Sequence, residues 1–128
     1  MILYSVELNF LPPPKSNRYL TSKNGKRFIP YRIKEAINDT IYILQSFKTQ
    51  TISKPCQLYI RYTLPDRRER DLDNLNKTLQ DCLEKAGIVE KDALFYRVIS
   101  EKRFSDKKEE KVEIVIYDLK MPIFLFSI

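Results

Sequence analysis

Asp71 and Asp73 stand two residues apart, with Lys77 four residues further on, in a stretch that opens Pro65-Asp66-Arg67-Arg68-Glu69-Arg70. Carboxylate oxygens are hard donors suited to Mg²⁺, which usually takes one or two carboxylates, keeps several waters and accepts substrate phosphate oxygens. Lys77 falls one helical turn after Asp73 and shares its face, so its ammonium could steady charge developing on a phosphate. The same acids also suit an ordinary helix start, because Asp is a favoured N-cap and Asp73–Lys77 is a common i, i+4 pair. A plain cap needs no arginines, however, and Arg67, Arg68 and Arg70 form a dense cationic run beside the acids. The combination points to a Mg²⁺-dependent enzyme acting on nucleic acid, with Asp71, Asp73 and Lys77 at its chemical centre.

Composition agrees and excludes competing chemistries. The 128 residues carry 23 Lys+Arg against 17 Asp+Glu, a net charge of +6 that draws a polyanion. A hydrophobic fraction of 43% argues for one folded domain with one modest core, spanning 1–128. There is no histidine, which removes a histidine general base, a Ser-His-Asp triad and His–Zn sites. Cys56 and Cys82 have neither zinc spacing nor the numbers for a disulfide framework, and read as core thiols in a reducing cytosol. Met1–Phe10 alternates and carries Glu7, unlike a signal peptide, and no apolar run approaches the ~20 residues of a membrane span. A soluble, cytoplasmic protein with no membrane partner is expected.

The elements that must position the acids follow from periodicity. Tyr4, Val6, Leu8 and Phe10 alternate with polar residues and predict a half-buried strand, ended by Pro12-Pro13-Pro14. A basic, aromatic stretch over Lys15–Arg32 contains an Asn24-Gly25 turn. Ile33, Ile37, Ile41, Leu44 and Phe47 predict a helix from about Pro30 to Thr49. Leu58, Ile60 and Tyr62 predict a second strand. A second helix follows, with Leu72, Leu75, Leu79, Cys82, Leu83 and Ala86 on one face, Asp71 or Asp73 as N-cap and Gly87 at C′. Strands over about Leu94–Arg103 and Val112–Tyr117 flank the charged turn Ser105–Lys111, which reads as a hairpin tip. The order β-α-β-α-β-β predicts a compact α+β domain, a mixed sheet packed by two helices. The apolar tail 119–128 has no assigned role.

With these residues in view, the sequence resembles the RusA family of Holliday-junction resolvases. The central block Pro65-Asp66-Arg67-Arg68-x-Arg70-Asp71-Leu72-Asp73-Asn74-Leu75-x-Lys77, then Ala86-Gly87-Ile88 and Asp92-Ala93, carries the resemblance. Leu8-x-Phe10-x-Pro12-Pro13 and Ser16-Asn17-Arg18-Tyr19 match the family's opening motif, and the likeness runs from about Tyr4 to Asp118. It implies a homodimeric crossover junction endodeoxyribonuclease, dependent on Mg²⁺ with Mn²⁺ as a substitute, that makes paired cuts in four-way DNA junctions during recombination and repair.

Residue by residue, the resemblance implies Asp71, Asp73 and Asp92 as metal-binding acids, Lys77 as catalytic lysine and Arg70 as a DNA-binding neighbour. Arg67, Arg68, Asn17, Arg18 and Lys102 complete the expected DNA contacts; Lys102 stands where the family tends to carry lysine. The chain departs from the family in having Lys91-Asp92 where an acidic pair is common, and Leu94 and Arg97 where polar and acidic residues are frequent. Two other readings of the same residues are a nuclease of broader branched-DNA taste and a non-catalytic DNA-binding protein.

Overall fold

A computed structural model describes residues 1–14 and 20–120. Alternation builds the first strand, β1 (Ile2–Leu8), whose Tyr4, Val6 and Leu8 are buried while Ser5 and Glu7 face out. The Asn24-Gly25 turn forms as expected: Gly25 takes φ +79°, and β2 (Leu20–Thr21) pairs with β3 (Arg27–Phe28) around it. Pro30 precedes the helix α1 (Tyr31–Ser46), where its missing N–H costs nothing. Ile37 and Leu44 are its buried apolar residues, but Phe47, expected on the same stripe, is the C-cap and 55% exposed.

The strand β4 (Cys56–Leu64) is longer than its alternation suggested, because both of its faces are covered. The helix α2 (Leu72–Lys85) starts on Asp71 and stops at Gly87, whose φ of +73° only glycine adopts without strain. Gly87 N–H donates to Glu84 O and Ile88 N–H to Leu83 O, both at 3.0 Å, which closes the helix in a Schellman arrangement. The chain then makes a parallel bridge between Val89 and Ile52 and a single 3₁₀ turn at Asp92–Leu94. It ends with β5 (Phe95–Phe104) and β6 (Lys111–Asp118).

The four long strands form one mixed sheet in the order β1-β6-β4-β5, with β4–β5 parallel and the other pairs antiparallel. The expected α+β domain is therefore present, with one correction. The segment Ser105–Lys111 is not a hairpin tip, since β4 lies between β5 and β6. The reason is burial: β6 alternates strictly and buries Val112, Ile114 and Ile116, so it takes a central place, while β5 is mostly exposed and becomes an edge.

Both helices cover the same sheet face. Tyr4 Oη donates to Leu44 O at 2.8 Å, tying β1 to α1. Leu75, Leu79, Cys82 and Leu83 of α2 pack with Leu58, Ile60 and Tyr62 of β4 in the common core. Cys56 and Cys82 are both buried and unbridged, and burial pushes the Cys56 thiol up to about 11. No helix among the described residues is long and apolar enough to cross a membrane.

Candidate active site

The entrance to α2 is built by its own side chains. Asp71 has extended backbone angles and its Oδ1 accepts from Asp73 N–H at 3.0 Å, satisfying one of the free donors of the first turn. Both acids are exposed. Capping engages only one Asp71 oxygen, and Asp73 has no side-chain partner among the described residues. The expected Asp73–Lys77 ion pair is also not formed among them, so the exposed Lys77 ammonium remains available to an outside anion. The first-turn N–H groups and the helix dipole favour negative charge at this end.

Asp73, Asn76 and Lys77 share one stripe of α2 by the 3.6-residue period. Asn76 shows where that stripe looks. Its Oδ1 accepts from Tyr62 Oη and its Nδ2 donates to Ser100 Oγ, both at 2.8 Å, so the stripe overlooks β4 and β5. Tyr62 is fully buried, and burial raises its hydroxyl far above the usual range, keeping it a neutral donor. Asn76 was not singled out in the sequence. Its place inside the signature block, facing the inward phase of β4, is the signal that could have found it.

The basic run divides into distinct jobs. Arg70, with a side chain only 10% exposed, donates to Asp66 Oδ1 at 2.7 Å and to Asp66 Oδ2 at 3.5 Å. That guanidinium, helped by Arg68 N–H, holds the Asp66 carboxyl below its ordinary range. Arg70 therefore braces the turn that delivers Asp71. Arg67 lies over the Phe104 ring, 4.3 Å from its centroid. Lys102 Nζ donates to Arg70 O at 2.7 Å, pinning the same turn to the end of β5. Arg68 is exposed and lines a cleft of about 1020 Å³. Its lining includes Pro12, Pro13 and Pro14 together with Arg68, Arg70 and Lys102 and the acids Asp66, Glu69, Asp71 and Glu110. Asn17 and Arg18 lie outside the described residues, as does the tail from 121.

Asp92 is elsewhere. Its N–H donates to Glu84 Oε1 at 3.0 Å, at the C-terminal end of α2. Asp71 and Glu84 are separated by nearly the whole helix, which puts about 20 Å along its axis between the two acids at 1.5 Å per residue. The sheet gives a second ruler. Asp92 leads into Phe95, whereas Arg70 is held by Lys102, and those strand positions are roughly 23 Å apart. Among the described residues no three His, Cys, Asp or Glu gather closely enough to hold a metal ion. One chain thus brings together Asp71, Asp73 and Lys77 and leaves Asp92 at the other end.

As a donor set, Asp71 and Asp73 fit a hard cation such as Mg²⁺: two exposed carboxylates at a helix start, with room for waters. They would supply two protein ligands to such an ion.

Residues 10–117 match the family model described as endodeoxyribonuclease RusA. The chain is 40% identical over 116 residues to the crossover junction endodeoxyribonuclease RusA of Aquifex aeolicus (strain VF5), covering 90% of this chain and 91% of that protein. It is 34% identical over 102 residues to the protein of that name from Shigella sonnei (strain Ss046), and 33% identical over 102 residues to that of Escherichia coli (strain K12). Each of these two alignments covers 77% of this chain and 83% of the relative. By the family match and by its aligned relatives, the chain belongs to the RusA family of endodeoxyribonucleases.

Proposed function

We propose that this protein resolves four-way DNA junctions by metal-dependent phosphodiester hydrolysis, as a homodimer in the cytoplasm, in the service of DNA recombination and repair. The observation that carries the reading is the α2 entrance. Two exposed carboxylates, and a lysine with no partner among the described residues, stand in the first turns of a helix beside a polar cleft lined in part by Arg68, Arg70 and Lys102, in a chain of this family.

Arg68 and Lys102 receive the DNA backbone along the cleft, where phosphate contacts fix register without reading sequence. Arg67 and Arg70 are a more local part of that surface, because one is stacked on Phe104 and the other is forked onto Asp66. Asp71 and Asp73 hold Mg²⁺, or Mn²⁺ in its place, which when bound supplies Lewis acidity for hydrolysis. The ammonium of Lys77 stands one turn along the same stripe and offsets charge that builds on the phosphate in the transition state. The first-turn N–H groups of α2 add to the same field.

Asp92 enters as the third acid from the other subunit. Roughly 20 Å separates it from Asp71 within one chain, a gap no side-chain rotation closes. A twofold axis that lays one subunit's Asp92 end beside its partner's Asp71 end makes two equivalent sites, and resolving a junction needs two cuts.

Incubation of the purified protein with a labelled synthetic four-way junction, a Y-form and plain duplex, with and without Mg²⁺ or Mn²⁺, tests the proposal. Paired, metal-dependent cuts confined to the junction are expected. Equal cutting of every branched form would move the assignment to a broader nuclease. Binding without cutting in either metal, beside a resolvase that cuts the same DNA, would leave a non-catalytic binding protein.

A further inference from the structure

Three alternate residues of β5, on its helix-facing side, touch the segment that carries the acids. Ile60, Tyr62 and Leu64 of β4 are buried in the core shared with α2, and the parallel register sets Ser100, Lys102 and Phe104 beside them on the same face. Ser100 Oγ accepts from Asn76 Nδ2 at 2.8 Å, and Lys102 Nζ donates to the Arg70 carbonyl at 2.7 Å. The Arg67 guanidinium lies 4.3 Å from the Phe104 ring centroid. From Arg67 to Asn76 the chain thus tracks β5 from its end back towards its middle. Asp71 and Asp73 fall between the Arg70 and Asn76 contacts, so the strand tethers the chain on both sides of the two carboxylates.

We infer that Asn76 and Ser100 are positioning residues for strand cutting: their hydrogen bond fixes the roll of α2 over β5 and so the placement of Asp73 and Lys77. The inference rests on the nuclease reading of the α2 entrance. Among the described residues neither the Asp73 carboxylate nor the Lys77 ammonium has a side-chain partner to hold it. The Asp71 cap bond is internal to the helix start and moves with it. Leu72 and Leu75 press against the core, but apolar burial has no preferred direction. A hydrogen bond at 2.8 Å has one. Asn76 stands three residues after Asp73 and one before Lys77, on their stripe, so a roll of α2 that breaks its bonds displaces both groups.

The residue types suit a two-ended brace. Tyr62 is fully buried and its hydroxyl donates to Asn76 Oδ1, which leaves the amide Nδ2 to reach the next strand. One side chain thus links α2 to β4 and β5 together. At the other tether an ammonium has three donors, so the Lys102 bond to the Arg70 carbonyl leaves capacity for phosphate. The bracket matters to the chemistry because misplacing a reacting group by about 1 Å costs on the order of a hundredfold in rate.

The test is Ser100→Ala in the full chain, which leaves the Tyr62–Asn76 bond intact and orphans no buried hydroxyl. Single-turnover cutting of a synthetic four-way junction at saturating protein should slow by about tenfold or more. The Mg²⁺ concentration for half-maximal rate should rise, while the junction dissociation constant measured without divalent metal stays unchanged. Ser100→Thr, which keeps the hydroxyl, should cut close to the wild-type rate. A wild-type rate for Ser100→Ala, a loss that appears in junction affinity in place of rate, or a Ser100→Thr as slow as Ser100→Ala would overturn the positioning role and leave the nuclease reading standing. A wild-type chain that cuts in neither Mg²⁺ nor Mn²⁺ would sink the nuclease reading and the positioning role with it.

Discussion

Replacing Asp71 separates two jobs that one side chain holds. Its Oδ1 caps α2 by accepting from Asp73 N–H, and its carboxylate is proposed to hold metal. Loss of an N-cap to alanine costs about 1 kcal/mol, within a range of roughly 0.5–2. Serine keeps an acceptor for the same N–H, so Asp71→Ser should lose only the charge–dipole contribution, a few tenths of a kcal/mol at an exposed helix start. For a chain of this length 1 kcal/mol corresponds to about 3–5 °C in Tm. Without divalent ions the order should therefore be wild type, Asp71→Ser slightly below it, and Asp71→Ala lower by a few degrees more. Metal at a hundredfold excess over its dissociation constant stabilises a binding-competent protein by about 2.7 kcal/mol. Wild type should show that Mg²⁺-dependent rise and both variants should lose most of it, along with junction cutting. Thermal melts with and without Mg²⁺ read both effects on one sample. If Asp71→Ser melts as low as Asp71→Ala, the cap assignment is wrong; if it keeps the Mg²⁺ rise and cuts at the wild-type rate, the ligand assignment is wrong.

Asn76→Ala should destabilise by about 1–3 kcal/mol in urea unfolding, because it orphans the hydroxyl of fully buried Tyr62. Adding Tyr62→Phe should return part of that loss, and strict additivity of the two would refute the coupling. Lys77→Ala should leave stability within ~0.5 kcal/mol, having no partner in the described chain, while slowing single-turnover cutting by about a hundredfold or more; an unchanged rate would remove Lys77 from the chemistry. Asp66 is held below its ordinary value of 3.8, chiefly by Arg70, so its pairing stabilises the fold above that value. That contribution disappears as pH falls through the lowered folded value. Asp66→Asn should flatten this acid limb in urea midpoints measured against pH, and an unaltered limb would show that the pair does not contribute.

Much of this was legible because it depends on local chemistry. Asp71 and Gly87 are strong punctuation for α2, one supplying a cap and the other a positive φ, and the buried stripe between them follows from period alone. The alternation of β1 likewise announced which of its residues face the core. Sheet order was not legible, because the exposed β5 and the alternating β6 look like a hairpin until burial makes β6 central. The family resemblance reads Arg70 and Lys102 as DNA contacts, yet the fold turns part of their capacity inward to brace the turn before Asp71. Asp66 is a local partner four residues before Arg70, whereas Lys102 meets the Arg70 carbonyl only through tertiary position. The separation of Asp92 from Asp71 follows from helix length once the helix is accepted, but the family pattern groups the acids without saying which chain supplies each.

The division of the acids between two subunits is tested by mixing two inactive proteins. Asp73→Asn and Asp92→Asn each disable every site in their own homodimers. A heterodimer of the two concentrates both defects in one site and leaves its other site with Asp71 and Asp73 from one chain and Asp92 from the other. Random exchange should then restore about a quarter of wild-type active sites, seen as metal-dependent single-strand nicking of the junction. If each chain supplied all three acids to its own site, the mixture would stay as inactive as its components, and that result would contradict the shared centre.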